Sequence, residues 1–173
     1  MSVAHDFQES LAFSHAASDN PMWLECYKQF FPTMIACVDH RADGDHQRAG
    51  IDRSITLENS KQILVDEKVR KKDYGDILLE YISVDTTGAP GWVCKPLMCD
   101  YIAYAILPRG KAYLLPVIPL QRAWTNHSAQ WLQRFGKRAA QNRGYQTWNC
   151  PLPFGVLFKA LTTAQIADFK PIQ

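Results

Sequence analysis

Asp52 and the run Asp66-Glu67-Lys68 carry the residue types of metal-assisted phosphate-ester hydrolysis. Asp66 and Lys68 close an apolar, strand-like run, Ile63-Leu64-Val65. Side chains alternate between the two faces of a strand, so Leu64, Asp66 and Lys68 share one face and Ile63, Val65 and Glu67 the other. Glu67 thereby drops out of the set. Thirteen residues lie between the aspartates, a gap that a hairpin closes, and a partner strand carrying Asp52 brings its carboxylate beside Asp66. Two carboxylates and an ammonium converging on one spot are costly unless something requires them. Mg²⁺ or Mn²⁺ is such a requirement: Mg²⁺ takes oxygen ligands, often only one or two carboxylates, and acidifies bound water. In that reading Asp52 and Asp66 bind the metal. Lys68 orients or deprotonates the attacking water and stabilises the transition state.

Glu80 shares a strand face with Leu78 and Ile82, and a carboxylate on an apolar face needs a partner or a ligand. It is expected to complete the metal shell or to hold Lys68; the alternative is an edge glutamate paired with Lys71 or Lys72. Glu25 lies nearly opposite Trp23, Tyr27 and Phe30 on a helical wheel and reads as solvated. Two basic groups follow. Arg70, Lys71 and Lys72 continue directly from the motif, and Arg134, Lys137 and Arg138, with Arg143, interleave with Trp131 and Phe135. Both suit phosphate contacts that position a strand without reading its sequence. An amphipathic surface helix with its aromatics in the core explains the second group equally well. Cys94 and Cys99 with His40, His46 or His127 lack the four regularly spaced ligands of a zinc site. Neither G-x-x-x-x-G-K-[ST] nor G-x-G-x-x-G occurs, which argues against a nucleotide-driven motor.

The elements that must position these groups come next. Asn20 can cap a helix with Pro21 in its first turn, Trp23, Leu24, Tyr27, Phe30 and Phe31 line one face, and Pro32 ends it. A weaker helical pattern precedes it at residues 5–17. Residues 33–38 read as a short buried strand, 39–48 as a polar loop able to lie over the site, and 51–57, 61–69 and 76–84 as strands. Residues 86–91 read as a long turn. Residues 101–107 and 111–117 form a hairpin around Pro108-Arg109-Gly110, and 120–141 turns helical. Residues 154–161 and 164–169 read as terminal helical turns. Helices, a strand meander and helices again make an α+β (mixed α/β) plan, with a central mixed β-sheet flanked by helices.

The 173 residues, 47% hydrophobic with no linker-like stretch, are expected to form one domain, 1–173, with a real core. A net charge of +2 leaves any nucleic-acid binding to local basic patches. Five irregularly spaced cysteines, a start that does not read as a signal peptide and the lack of a long apolar stretch point to reduced thiols in the cytoplasm and no membrane contact.

With Asp52 as the lone aspartate, Asp66-Glu67-Lys68 as the (D/E)xK element and residues 61–65 as the buried strand before it, the chain resembles the PD-(D/E)xK nuclease superfamily over residues 20–118. It is most similar to that superfamily's small phage proteins. Ile51 stands where the superfamily often has proline. The resemblance implies a restriction endonuclease-like core and a Mg²⁺-dependent nuclease acting on DNA rather than RNA. The small net charge and size suggest help from a homodimer partner, because one small sheet grips little duplex. The competing expectation is an inactive protein on the same fold, serving as a nucleic-acid-binding or assembly module of a phage or mobile element.

Overall fold

The computed structural model describes residues 20–161 and 164–172, apart from the side chain of Gln47. The helix expected at 5–17 lies outside these residues. In chain order the elements are α1 (Met22–Phe30), β1 (Met34–Asp39), α2 (Gly44–Ala49), β2 (Arg53–Leu57), β3 (Gln62–Arg70), β4 (Asp76–Val84) and β5 (Ala89–Pro90). They continue with β6 (Tyr101–Ile106), β7 (Lys111–Pro116), α3 (Val117–Phe135), β8 (Arg138–Asn142), β9 (Tyr145–Pro153), α4 (Phe154–Ala160) and β10 (Gln165–Asp168). The class is α+β, with a mixed six-stranded sheet, β1-β2-β3-β6-β7-β10, and a second sheet, β5-β4-β9-β8. The described chain falls into two compact units.

The first unit comprises residues 20–73, 97–117 and 164–172 and holds the six-stranded sheet with α1 and α2. Asn20 caps α1 by accepting from the Met22 backbone N–H at 3.0 Å. The helix buries Met22, Trp23, Cys26, Tyr27 and Phe30, the i, i+3, i+4 rows of one face. Leu24, expected on that face, is 45% exposed. The strands β1, β2 and β3 pair antiparallel in sequence order. The next neighbour of β3 is the parallel strand β6, with Asp66 opposite Ile102 and Lys68 opposite Tyr104. Parallel pairing requires a long crossover, and residues 71–100 provide it. The apolar β6, buried from Ile102 to Ile106, fits an interior position covered on both faces.

Several sequence-based expectations change here. Strand 76–84 does not extend the meander but founds the second sheet. Residues 33–38 hold the edge strand β1 rather than a buried one, with Ile35 63% exposed. The loop 39–48 contains α2. Residues 164–169 form β10 on the open side of β7, because Ala167 and Phe169 bury alternate positions. At Gly110, with φ +63°, the β6–β7 connection turns, and an added Cβ would meet the Phe169 carbonyl oxygen at 2.3 Å.

The second unit comprises residues 74–96 and 118–161. The strand β9 lies between β4 and β8, antiparallel to both. Gly136, with φ +77°, donates its backbone N–H to Leu132 and stops α3, so the helix expected to reach residue 141 ends at Phe135 and a strand begins at Arg138. Among the described residues no helix is long and apolar enough to cross a membrane.

Gly91 tests the close packing of the second sheet. A Cβ there would lie 2.3 Å from the Glu80 carbonyl oxygen, whereas one at Gly155 in α4 meets nothing within 4 Å. Gly91→Ala is expected to cost about 2–4 kcal/mol by overpacking against backbone, and Gly155→Ala to be neutral or to stabilise by up to about 1 kcal/mol. Urea denaturation of both variants measures the contrast.

Candidate active site

Asp52 sits one residue before β2, and its backbone N–H donates to Val65 at 2.9 Å. That bond fixes the register in which Arg53 faces Val65 and Ser54 faces Leu64. Asp52 and Ser54 therefore lie on the same sheet face as Asp66 and Lys68, and Arg53 on the face of Glu67. The backbone N–H of Glu67 donates to Asp52 Oδ2 at 2.7 Å. The Asp66 carboxyl lies near enough to raise the pKa of Asp52, and Lys68 Nζ lies 2.7 Å from both Asp66 oxygens. Thus the three residues expected to converge do so.

Electrostatics follow from burial. The Asp66 side chain is buried, and that of Lys68 is about one-third exposed, at 32%. Burial, and then the neighbouring Asp66 carboxylate, push Asp52 up to about 7, against the pull of the Glu67 N–H and the Lys68 ammonium. The thiol of Cys99 packs against Asp66, and burial pushes it up to about 12. It is a neutral wall of the site, not a nucleophile.

Once Asp52 gives up its proton, two adjacent carboxylates with one ammonium leave net negative charge in a largely buried place, and a divalent cation would relieve it. The donor set is all oxygen, which fits Mg²⁺ or Mn²⁺ and not the nitrogen and sulfur preference of zinc. Among the described residues no group of three or more His, Cys, Asp and Glu side chains is arranged for a metal. Asp52 and Asp66 thus offer only two carboxylates, and the remaining ligands would be water and substrate oxygens.

Other candidates fall elsewhere. The fold places Glu80 on β4 of the second unit, opposite Asn149 of β9. Glu25 is exposed on α1, as its wheel position implies. Arg70 is buried at 8% exposure, which removes it from an open basic strip, while Lys71 and Lys72 are exposed. Arg134, Lys137 and Arg138 do not share a helix face: Arg134 ends α3, Lys137 lies in the turn and Arg138 opens β8. His40 Nε2 lies 2.7 Å from Ser54 Oγ, and its ring stacks on His46 at 4.1 Å. The His40 backbone N–H donates to the Asp52 carbonyl at 2.8 Å, so this pair borders the cluster. The polarity of residues 39–48 was visible in the sequence; the stacking was not, because it depends on α2.

Glu67 was set aside because it faces away from Asp66, and it does. Its side chain, 1% exposed, accepts from Tyr27 Oη at 2.8 Å and from Arg53 Nε at 3.0 Å. Arg53 also lies 3.5 Å from Asp39, whose carboxyl is held down near about 2 by Arg41. The sequence signal was a glutamate in phase with Ile63 and Val65, a buried face where an acid needs partners.

Two measurements follow. Asp52 titrates near 3.8 in an unfolded chain and near 7 here, so between those values the folded state holds the extra proton. Stability conferred by that proton is full below about 4 and is lost as pH rises through about 7. Asp52→Asn, which still accepts the Glu67 N–H, is expected to stabilise the protein at pH 8. The expected gain is about 1–3 kcal/mol, discounted for the part of Asp52 that faces solvent, and it should fade toward pH 4. Thermal melts across that range, without divalent metal, check it. Glu67→Ala is expected to cost about 3–5 kcal/mol, because it leaves Arg53 without its buried partner. Glu25→Ala should stay within about 0.5 kcal/mol; chemical denaturation compares the two.

No protein-family model, no curated protein and no solved structure matches the chain.

Proposed function

We propose that the protein is a Mg²⁺-dependent nuclease (Mn²⁺ serving equally) that hydrolyses phosphodiester bonds in DNA, with Asp52, Asp66 and Lys68 as its reactive groups. The observation that carries this reading is the contact between two carboxyls, one of them pushed up to about 7, with an ammonium bonded to both oxygens of Asp66. This arrangement costs stability and is explained by a cation and an anionic substrate. Structural ion pairs do not require a second, like-charged carboxylate.

When bound, the metal would supply Lewis acidity and a more acidic water. Asp52 and Asp66 would hold it, and the Glu67 N–H keeps Asp52 turned toward Asp66. Lys68 Nζ is fixed by Asp66 and retains exposure, so it can orient a water and offset charge growing on phosphate oxygens. The mixed sheet, with its antiparallel β1-β2-β3 run and parallel β6, supports a restriction endonuclease-like core as the frame for this chemistry.

The test is incubation with linear, nicked, branched and single-stranded DNA in Mg²⁺ or Mn²⁺. Lys68→Ala and Asp66→Asn are each expected to lower cleavage by about 100-fold or more, measured at a temperature at which circular dichroism shows each variant folded. Cleavage that survives both substitutions, or no cleavage of any substrate by the parent protein, contradicts the proposal.

A further inference from the structure

The chain holds no Asp or Glu between Asp100 and Asp168, yet eight Lys and Arg fall in that interval. Four of them, Arg134, Lys137, Arg138 and Arg143, lie within ten residues and all are exposed. None of these four forms an ion pair among the described residues. All belong to the second unit. In a protein of net charge +2 this is a strong local segregation of charge.

The fold puts these charges on one device. Arg134 lies in the last turn of α3, Gly136 and Lys137 turn the chain, Arg138 opens β8, and Arg143 with Gly144 (φ +86°) forms the two-residue turn into β9. Five residue pairs join β8 to β9, from Arg138 opposite Asn149 to Asn142 opposite Tyr145. As the edge strand of its sheet, β8 exposes Arg138, Ala139 and Ala140. Side chains stiffen the hairpin: Gln146 Nε2 donates to Gln141 Oε1 at 2.8 Å, and Asn142 Nδ2 to Thr147 Oγ1 at 3.0 Å. Thr147 Oγ1 in turn donates to the Ser83 carbonyl at 2.9 Å. The Arg138 guanidinium lies over the Tyr74 ring. Asp85 approaches from the other side of β9, where it accepts from the Gln146 backbone N–H at 2.8 Å.

We propose that the β8–β9 hairpin is a double-stranded DNA-binding ribbon that lies in the major groove, with Arg134, Lys137, Arg138 and Arg143 on the flanking phosphates. The ladder of β9 with β4 ends at Trp148, so residues 140–147 form the two-stranded end of the hairpin, and two strands spaced about 4.8 Å apart, with side chains, match a groove about 12 Å wide. The small Ala139 and Ala140 let the strand approach closely. Tyr74 is exposed but lies under the Arg138 guanidinium, and β8 itself holds no aromatic residue, whereas single-strand binders stack bases on a run of aromatics. The deep, narrow major groove of A-form RNA does not admit a ribbon. This inference rests on charge and hairpin geometry. It adds a duplex-gripping element to the proposed nuclease and does not depend on whether Asp52 and Asp66 support cutting.

Fluorescence anisotropy of the full chain in EDTA tests it, using a labelled 20-base-pair DNA duplex, its single strand and the same sequence as RNA duplex, from about 50 to 200 mM salt. DNA duplex is expected to bind at least about 5-fold more tightly than the other two. Arg138→Ala with Arg143→Ala should weaken it by about 10-fold or more and reduce the salt slope by about 2. The charge-matched pair Arg122→Ala with Lys159→Ala, both exposed in the same unit, should change it by about 2-fold or less. Absent duplex binding, equal binding of single strand or RNA, or equal losses in the two double variants each overturn the proposal. Because EDTA prevents cutting, a protein that binds duplex through Arg138 and Arg143 yet never cleaves in Mg²⁺ would sink the nuclease reading alone.

Discussion

The peptide unit of Glu67 is held from both sides of the six-stranded sheet. On one face its N–H grips Asp52 at 2.7 Å; on the other its carboxylate anchors Tyr27 of α1 and Arg53 of β2. A shift of β3 by one residue would exchange the faces, burying Asp66 and Lys68 under α1 and exposing Glu67. The buried acid therefore fixes the register on which the candidate site depends. Its own ion pair is costly to desolvate, and the Tyr27 hydroxyl together with the Arg53 guanidinium offsets that cost.

The face opposite α1 concentrates a different expense. Asp52 and Asp66 are close enough to share a proton, and Lys68 neutralises only one charge. Packing alone would favour an amide or an apolar residue at position 52. A locally destabilising cluster on an otherwise well-buried sheet is the pattern expected where stability yields to function. Metal binding would convert that expense into stabilisation, since a cation held by the folded state alone favours folding.

Much of the site was legible because strand alternation is a local rule. The phase of Leu64, Asp66 and Lys68 follows from period 2, and the hairpin that brings Asp52 across needs only the turn at residues 58–60. The sheet that holds Glu80 was not legible, for a non-local reason. Its strand reads like a third meander strand, but the apolar β6 takes the position beside β3 and leaves β4 to pair with β9. Nothing near residue 80 encodes that competition. Gly136 was a readable helix stop that the aromatic period of α3 obscured, so Lys137, Arg138 and Arg143 were assigned to a helix when they belong to β8 and the turns that flank it. The role of Glu67 was half legible: its face was clear, while Tyr27 and Arg53 come from elsewhere in the chain.

The most direct test of the central claim is a carboxyl ¹³C NMR titration of Asp52, assigned through Asp52→Asn, with and without Mg²⁺. The account predicts a midpoint near 7 without metal, falling below about 5 when Mg²⁺ saturates the site, because the ion must displace the proton. An ordinary midpoint near 4 that Mg²⁺ does not move would contradict it.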